Sequence, residues 1–177
     1  MNIARPDRVR LIRDIQWLAL LLLATAMHVI EAAMPSLGPW FKPGLANIIT
    51  LITLLLFGGK AAFLLATARI VLGNLMVGTL LTPTFVMSLA GGVSAAFMMI
   101  AAWRCLSARH VISISLIGAV THMSVQFAVV AQLFIQQPHI YFMLPPLLLL
   151  ALATGWINGG IARYIATRIR HDHAASL

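Results

Sequence analysis

Residues 42–79 read KPGLANIITLITLLLFGGKAAFLLATARIVLGNLMVGT, an almost unbroken run of apolar residues. Two apolar segments, 44–57 and 61–79, are joined by Gly58-Gly59-Lys60, and one charge, Arg69, stands inside the second segment. An arginine near the middle of a bilayer costs at least about 2.5–3.5 kcal/mol, so a chain that keeps one places it in a bundle interior with a partner. The pattern predicts a membrane-embedded helical hairpin, with the remaining helices arranged around it.

The composition indicates an integral membrane protein. Of its 177 residues, 61% are hydrophobic and 9% are charged, whereas soluble domains average about 25% charged residues. The polar segments are too short to fold by themselves, so the chain forms one membrane domain. The lone Cys105 excludes an internal disulfide and a multi-cysteine metal site.

The net charge of +8 indicates membrane orientation rather than a nucleic-acid partner. The arginines cluster where a membrane protein carries its cytoplasmic positive charge, because short cytoplasmic loops are enriched in lysine and arginine. The clusters are Arg5, Arg8, Arg10 and Arg13, then Arg104 and Arg109, then Arg163, Arg168 and Arg170. This distribution predicts a multi-pass protein of the inner (plasma) membrane with both termini inside.

The hydrophobic runs predict an all-α polytopic membrane bundle of about six transmembrane helices. The expected helices cover residues 15–34, 44–57, 60–80, 85–103, 111–135 and 141–169. The expected organisation is a basic cytoplasmic leader at 1–14, a transmembrane domain at 15–169 and a polar cytoplasmic tail at 170–177. Small residues recur every four positions, as in Gly155-x-x-x-Gly159, and predict close helix packing within the chain or, alternatively, docking of a partner.

Sequence position converts to depth, because a helix rises 1.5 Å per residue. Arg69 then lies roughly 13 Å from the inner face, near mid-bilayer. Most other polar residues of the helices fall at mid-depth or in the outer half, whereas Asn158 is expected towards the inside. The pattern predicts a polar cavity open to the outside and lined by helices 1, 2, 3 and 5, with Asn47 close to the outer face.

Spacing and charge identify partners within this cavity. His28 and Glu31 are three residues apart and His122 and Gln126 four apart, so each pair shares a helix face. Glu31 is the one acid between Asp14 and Asp172 and therefore the one carboxylate available to Arg69, which otherwise pairs with a bound anion.

Each of these residues also has a structural interpretation. Asn47, Asn74 and Gln126 are equally explained as hydrogen bonds between helices. His122 is explained as a satisfied core histidine, and Glu31 as a cap on the outer end of helix 1.

Known catalytic and metal-binding motifs are missing from the sequence. It contains no Walker motif, no HExxH and no Cys/His metal quartet. Its four acids form no pair that could hold magnesium on a diphosphate. We therefore expect no catalytic residue, no metal and no cofactor.

Several runs resemble the family of heptaprenyl diphosphate synthase component I, also called the Gx transporter family. They are Lys42-Pro-Gly-Leu-Ala-Asn47, Arg69 followed by Leu72-Gly73 and Gly78, Ser88-Leu-Ala-Gly-Gly92, and His122 with Gln126. The family usually carries His-Asn-x-Gly-Gln on the fifth helix, where this chain has His122-Met-Ser-Val-Gln126. The family is similar to the substrate-binding subunits of energy-coupling-factor vitamin transporters, which implies a six-helix bundle with a ligand pocket towards the outside.

Two main functions follow. The first is uptake of a small, anionic or polar-headed molecule through an outward-facing pocket, with energising membrane or ATPase subunits as partners. Its expected substrate contacts are Arg69, Asn47, His122, Gln126, Glu31, Asn74 and Lys42. The alternative, implied by the family name, is a non-catalytic membrane subunit of a heptaprenyl or other polyprenyl diphosphate synthase, with its partner surface on the basic cytoplasmic side. A purely structural assembly factor is a third possibility.

Overall fold

The computed structural model describes residues 5–33, 44–106 and 110–175, with side chains described between residues 7 and 169 of these ranges. The described residues form helices and no strand, so the predicted all-α bundle is confirmed. A short 3₁₀ helix, Pro138–Met143, precedes the last α-helix. The α-helices are α1 (Arg5–Ala33), α2 (Leu45–Phe57), α3 (Gly59–Val77), α4 (Pro83–Cys105), α5 (Val111–Leu133) and α6 (Leu144–Ala175).

Five helices are long and apolar enough to cross a membrane, namely all except α2. The chain is therefore a multi-pass membrane protein. α2 has 13 residues and is about 20 Å long, shorter than the roughly 30 Å hydrocarbon core. It is instead a buried central helix, since most of its residues, from Ala46 to Leu55, are inaccessible. The prediction of about six spans thus becomes five membrane-length helices around one short buried helix.

The basic leader is continuous with the first membrane helix. α1 begins at Arg5, ten residues before the start that the hydrophobic run predicts. Pro6 falls in the first turn, where proline is tolerated because the missing N–H has no helical partner there. No glycine or proline interrupts residues 7–33. The cytoplasmic position of this segment and of both termini stays a prediction.

The predicted hairpin of α2 and α3 is confirmed. One residue, Gly58, separates the two helices, with φ 84° in the left-handed region that favours glycine. Its N–H donates to the Leu54 carbonyl at 3.1 Å. α1 packs along both helices of the hairpin, and Trp17 Nε1 donates to the Ala61 carbonyl at 3.2 Å. The hairpin and α1 therefore form one packed unit.

Two apolar clusters fill the bundle. The larger one surrounds α2, with Leu51 and Leu54 at its centre and Leu65, Met99 and Ile114 from other helices around them. The smaller one joins the start of α4, the end of α5 and the 3₁₀ helix. Buried polar side chains are also present in the interior, among them Arg69, Asn74 and Gln126.

α5 and α6 approach closely at the predicted small-residue stripe. A Cβ atom added to Gly159 would lie 2.9 Å from the Ile112 Cα and 2.9 Å from the Ser115 Cβ. One added to Gly155 would lie 2.8 Å from the Ala119 Cβ. Because these neighbours are backbone or first side-chain atoms, they cannot move without separating the helices. The stripe therefore packs α6 against α5 within the chain, as predicted.

We expect Gly159→Ala to lower the free energy of unfolding by about 1–3 kcal/mol, because overpacking against backbone cannot relax. The matched control is Gly160→Ala at the next residue, where an added Cβ meets nothing within 4 Å. That change should be neutral or stabilising by up to about 1 kcal/mol, because alanine favours helix. Thermal unfolding of the two purified variants measures the difference, and equal melting temperatures would contradict the close contact.

Candidate functional site

A small polar cavity lies in the interior of the bundle. Its volume is about 50 Å³, room for about three to five water molecules at roughly 10–15 Å³ each. Sites for drug-sized ligands run to about 300–1,000 Å³, so this cavity fits only a few atoms. All six α-helices contribute to its wall. The polar lining residues are His28, Glu31, Asn47, Arg69, Ser88, His122, Gln126, Thr154 and Asn158.

Arg69 supplies the one cationic side chain among the lining residues that the structure describes. It is 4% exposed, and its Nη2 donates to Asn47 Oδ1 at 3.3 Å. Glu31 lies near enough for its negative charge to stabilise the guanidinium. The amide of Asn47 thus makes the direct hydrogen bond. The pairing of Arg69 with Glu31 stays a prediction, which their place in the same cavity supports. Arg69 Nε is buried and has no hydrogen-bond partner among the described residues.

Glu31 also fixes the start of α2. Its Oε1 accepts a hydrogen bond from the Leu45 N–H, in the first turn of that helix. The first N–H groups of a helix have no partner within the helix and favour a negative charge. Glu31 therefore caps α2 rather than the end of its own helix, which was the sequence alternative. The Glu31 carboxylate thus accepts a hydrogen bond at the start of α2, and its negative charge also acts on the guanidinium of Arg69.

Asn47 and Asn158 line the same cavity, although the sequence placed Asn47 near the outer face and Asn158 towards the inside. The two predicted depths therefore cannot both be right. Asn158 Nδ2 donates to the Gly44 carbonyl at 3.2 Å, so the start of α2 lies beside the middle of α6. The physical reason is the length of α2. The depth count assumed that α2 starts at the outer surface, whereas its 13 residues, counted back from the Gly58 turn, reach only about 20 Å.

Gly91 allows α4 to approach the cavity wall that α5 provides. A Cβ atom at this position would lie 2.7 Å from Gln126 Cγ and 3.1 Å from the His122 carbonyl oxygen. Gln126 is 3% exposed, and its Oε1 has no hydrogen-bond partner among the described residues. The helix contact therefore holds an acceptor oxygen in the buried wall, opposite α3.

The family model of heptaprenyl diphosphate synthase component I matches residues 20–165, a range that contains every lining residue of the cavity. The chain belongs to this family. No curated protein and no solved structure matches it. The resemblance to subunits of energy-coupling-factor transporters stays a prediction.

In this member of the component I family, five of the seven residues predicted to contact a substrate line the cavity. They are Arg69, Asn47, His122, Gln126 and Glu31. Lys42 lies outside the described residues. Whether any of the seven contacts a substrate stays a prediction.

Asn74 does not line the cavity but lies behind it. Its Nδ2 is 3.2 Å from His28 Nε2 and donates to the Ile70 carbonyl at 2.8 Å. Its Oδ1 accepts from Thr79 Oγ1 at 2.8 Å. These contacts satisfy Asn74 within the protein and join α3 to α1. This is the interhelical role that the sequence left open as an alternative.

Sequence reasoning missed the contribution of α4 and α6 to the wall. Thr154 and Asn158 are four residues apart and share a face of α6, a signal of the same kind as His122 and Gln126. Ser88 entered the sequence analysis only as part of a run that resembles the family, yet it is 4% exposed and lines the cavity. The four-residue spacing of Thr154 and Asn158 was therefore the sequence signal that could have placed α6 in the cavity wall.

The arrangement is suited to holding a small anion or ordered water. A guanidinium, the Glu31 carboxylate, two imidazoles, carboxamides and hydroxyls surround a volume of a few atoms. Glu31 is one negative partner for the buried cation, and Arg69 Nε keeps an N–H that water or an anion can accept. Within the described ranges, no three histidine, cysteine, aspartate or glutamate side chains are grouped to hold a metal ion.

We expect the charges of Glu31 and Arg69 to be energetically coupled. Glu31→Gln keeps an oxygen for the Leu45 N–H but removes the charge, so it leaves the buried guanidinium without its carboxylate. Arg69→Gln removes the cation. The double variant should be more stable than the sum of the single effects predicts, by about 1–3 kcal/mol. Reversible unfolding in mixed micelles measures this double-mutant cycle.

The matched control cycle pairs Arg69→Gln with Asp14→Asn, which removes an exposed carboxylate on the same helix as Glu31. Its two effects should add within about 0.5 kcal/mol, as for residues without shared partners. Additivity in both cycles would mean that Glu31 does not stabilise Arg69.

Proposed function

We propose that this protein is the non-catalytic membrane subunit of a polyprenyl diphosphate synthase in the plasma membrane. The family match carries this proposal, and five membrane-length helices support a role in the bilayer. The sequence contains four acids spread over the chain, whereas magnesium bound to a diphosphate is usually held by carboxylates. The chemistry then belongs to a soluble partner subunit, which this protein anchors at the membrane where the hydrophobic product goes.

The basic end of the bundle supports the docking of such a partner. Arg8, Arg10, Lys60 and Arg104 are exposed, and they lie at the end where α1 begins, α2 meets α3 and α4 ends. Charge clusters of this kind steer an oppositely charged surface and raise the rate of association. Because positive loops face the cytoplasm, a soluble synthase subunit can reach this end.

We expect a soluble polyprenyl diphosphate synthase subunit from the same genome to co-purify with the solubilised protein. Arg8→Gln with Arg10→Gln should weaken this association about three- to tenfold and reduce its dependence on salt, because two steering charges are lost. The remaining arginines preserve the orientation signal.

The matched control is Gln136→Glu with Gln137→Glu, which lowers the net charge by the same amount at the opposite, exposed end of the bundle. This control should leave the affinity unchanged. Failure of any synthase subunit to co-purify, or equal loss in both double variants, would contradict the proposed function.

The polar cavity favours a second candidate function, the binding of a small anion for uptake. The observation behind it is that Arg69 Nε, whose N–H is a donor, is buried in the cavity wall with no hydrogen-bond partner among the described residues. The cavity of about 50 Å³ limits the bound group to a phosphate, sulfate or carboxylate rather than a whole vitamin. Active uptake of such an anion would need energising partner subunits.

We expect phosphate or sulfate to raise the melting temperature of the purified protein relative to chloride at equal ionic strength. Mass action predicts about 2.7 kcal/mol of stabilisation at a hundredfold excess over the dissociation constant. Arg69→Gln should abolish the shift, whereas Arg104→Gln, at an exposed position outside the cavity, should keep it. An identical shift in both variants would reflect non-specific salt effects and remove the second candidate.

A further inference from the structure

The cavity wall carries hydrogen-bond donors on the side formed by α2 and α3. Arg69 Nε–H is buried without a hydrogen-bond partner among the described residues. Arginine can only donate, so the contact of Arg69 Nη2 with Asn47 Oδ1 at 3.3 Å identifies the Asn47 oxygen as the acceptor. The amide hydrogens of Asn47 then remain on Nδ2, which is a donor. This side of the cavity therefore favours a ligand with acceptor oxygens.

The helices α5 and α6 contribute acceptors to the wall instead. Gln126 is 3% exposed, and its Oε1 has no hydrogen-bond partner within the described ranges. Thr154 Oγ1 donates inside α6, to the Leu150 carbonyl at 3.0 Å and the Ala151 carbonyl at 3.2 Å. A hydroxyl has one hydrogen, so Thr154 offers the cavity only lone pairs. A ligand that contacts this side must bring a hydrogen of its own, because otherwise a buried acceptor stays unpaired.

The charges and the volume of the cavity restrict the ligand further. Arg69 and Glu31 bring one positive and one negative charge to the described wall, so a ligand of low charge suits the site better than a dianion. The volume of about 50 Å³ holds roughly four or five non-hydrogen atoms. Small oxyanions that carry one negative charge and at least one hydroxyl meet these conditions. Hydrogencarbonate and dihydrogen phosphate are simple members of this class.

We propose that the cavity selects a monovalent oxyanion that carries a hydroxyl, and that Gln126 and Thr154 determine this specificity. The negative oxygens of the anion accept from Arg69 and Asn47, and its hydroxyl donates to Gln126 Oε1 or Thr154 Oγ1. This inference rests on the second candidate function, anion binding in the cavity, and is independent of the synthase partner. Arg69 alone would bind any small anion, so the acceptors on α5 and α6 supply the selectivity.

Hydrogencarbonate and nitrate are a matched pair of probes, because both are small, planar and monovalent and only hydrogencarbonate has a hydroxyl. The experiment measures the melting temperature of the full-length protein in detergent micelles as each sodium salt replaces chloride at constant ionic strength and pH. Half-maximal stabilisation should need at least about tenfold less hydrogencarbonate than nitrate, since nitrate leaves a buried acceptor unpaired. Phosphate should likewise act at lower concentration than sulfate, and the comparison of phosphate with hydrogencarbonate identifies the preferred member of the class.

Gln126→Met tests the acceptor on α5. The change keeps the approximate volume of the side chain that packs against Gly91 and removes the amide oxygen. It should reduce the preference for hydrogencarbonate over nitrate from at least about tenfold to less than about threefold, because the hydroxyl loses its buried partner. The matched control, Gln132→Met, makes the same change at an exposed position of α5 and should preserve the preference.

Thr154→Val tests the acceptor on α6 without breaking a contact between helices, since this hydroxyl donates only within α6. It should lower the preference about two- to threefold. The matched control is Thr167→Val, because Thr167 Oγ1 makes the same pair of bonds within α6, to the Arg163 and Tyr164 carbonyls. Thr167 is exposed, and its replacement should leave the preference unchanged.

Equal shifts with hydrogencarbonate and nitrate, both lost in Arg69→Gln, would overturn the selectivity and leave anion binding intact. A preference that survives in both Gln126→Met and Thr154→Val would also overturn the inference, because the acceptors would then play no part. No shift with any of these salts, or identical shifts in Arg69→Gln, would mean that the cavity holds only water. That result would remove the second candidate function together with the inference, whereas the membrane-subunit proposal is tested separately by co-purification.

Discussion

The buried charge of Arg69 is the constraint on which the interior of this bundle depends. A cation at membrane depth is stable only where protein groups replace its hydration. Glu31 supplies the opposite charge from α1 and Asn47 supplies a hydrogen-bond acceptor from α2. Both groups reach Arg69 because α2 is short and starts deep in the bundle, where Glu31 accepts from its first turn. The polar side chains around the cavity and the position of the start of α2 therefore both depend on the need to stabilise the buried charge of Arg69.

Much of the fold could be predicted from the sequence, because helical membrane proteins must satisfy their backbone hydrogen bonds within each segment. The hairpin at Gly58, the packing role of Gly159 and the cavity around Arg69 and Glu31 follow from hydrophobic runs, small-residue spacing and the rarity of buried charge. What could not be predicted was the relative depth of the helices. Depth was counted from the ends of each run, and α2 does not end at a membrane surface. Because α2 starts inside the bundle, Asn47 and Asn158 line the same cavity, whereas the sequence predicted different depths for them.

The interior cavity and a groove on the outside of the bundle differ in volume and in lining. The interior cavity holds a few atoms and is built from side chains fixed by neighbours, such as Gln126 against Gly91. The surface groove, lined mainly by α1 and the α2–α3 hairpin, has a volume of about 1110 Å³, more than twenty times that of the cavity.

The order of the polar layer along the chain matters for synthesis on the ribosome. Glu31 and Asn47 both precede Arg69, so the carboxylate and the amide are already in the nascent chain when the arginine emerges. α3 can then enter the bilayer beside α1 and α2 as a helical hairpin rather than as an isolated charged segment. Inserted together with α1 and α2, Arg69 would enter the bilayer beside Glu31 and Asn47, which would lower the insertion cost of a lone arginine.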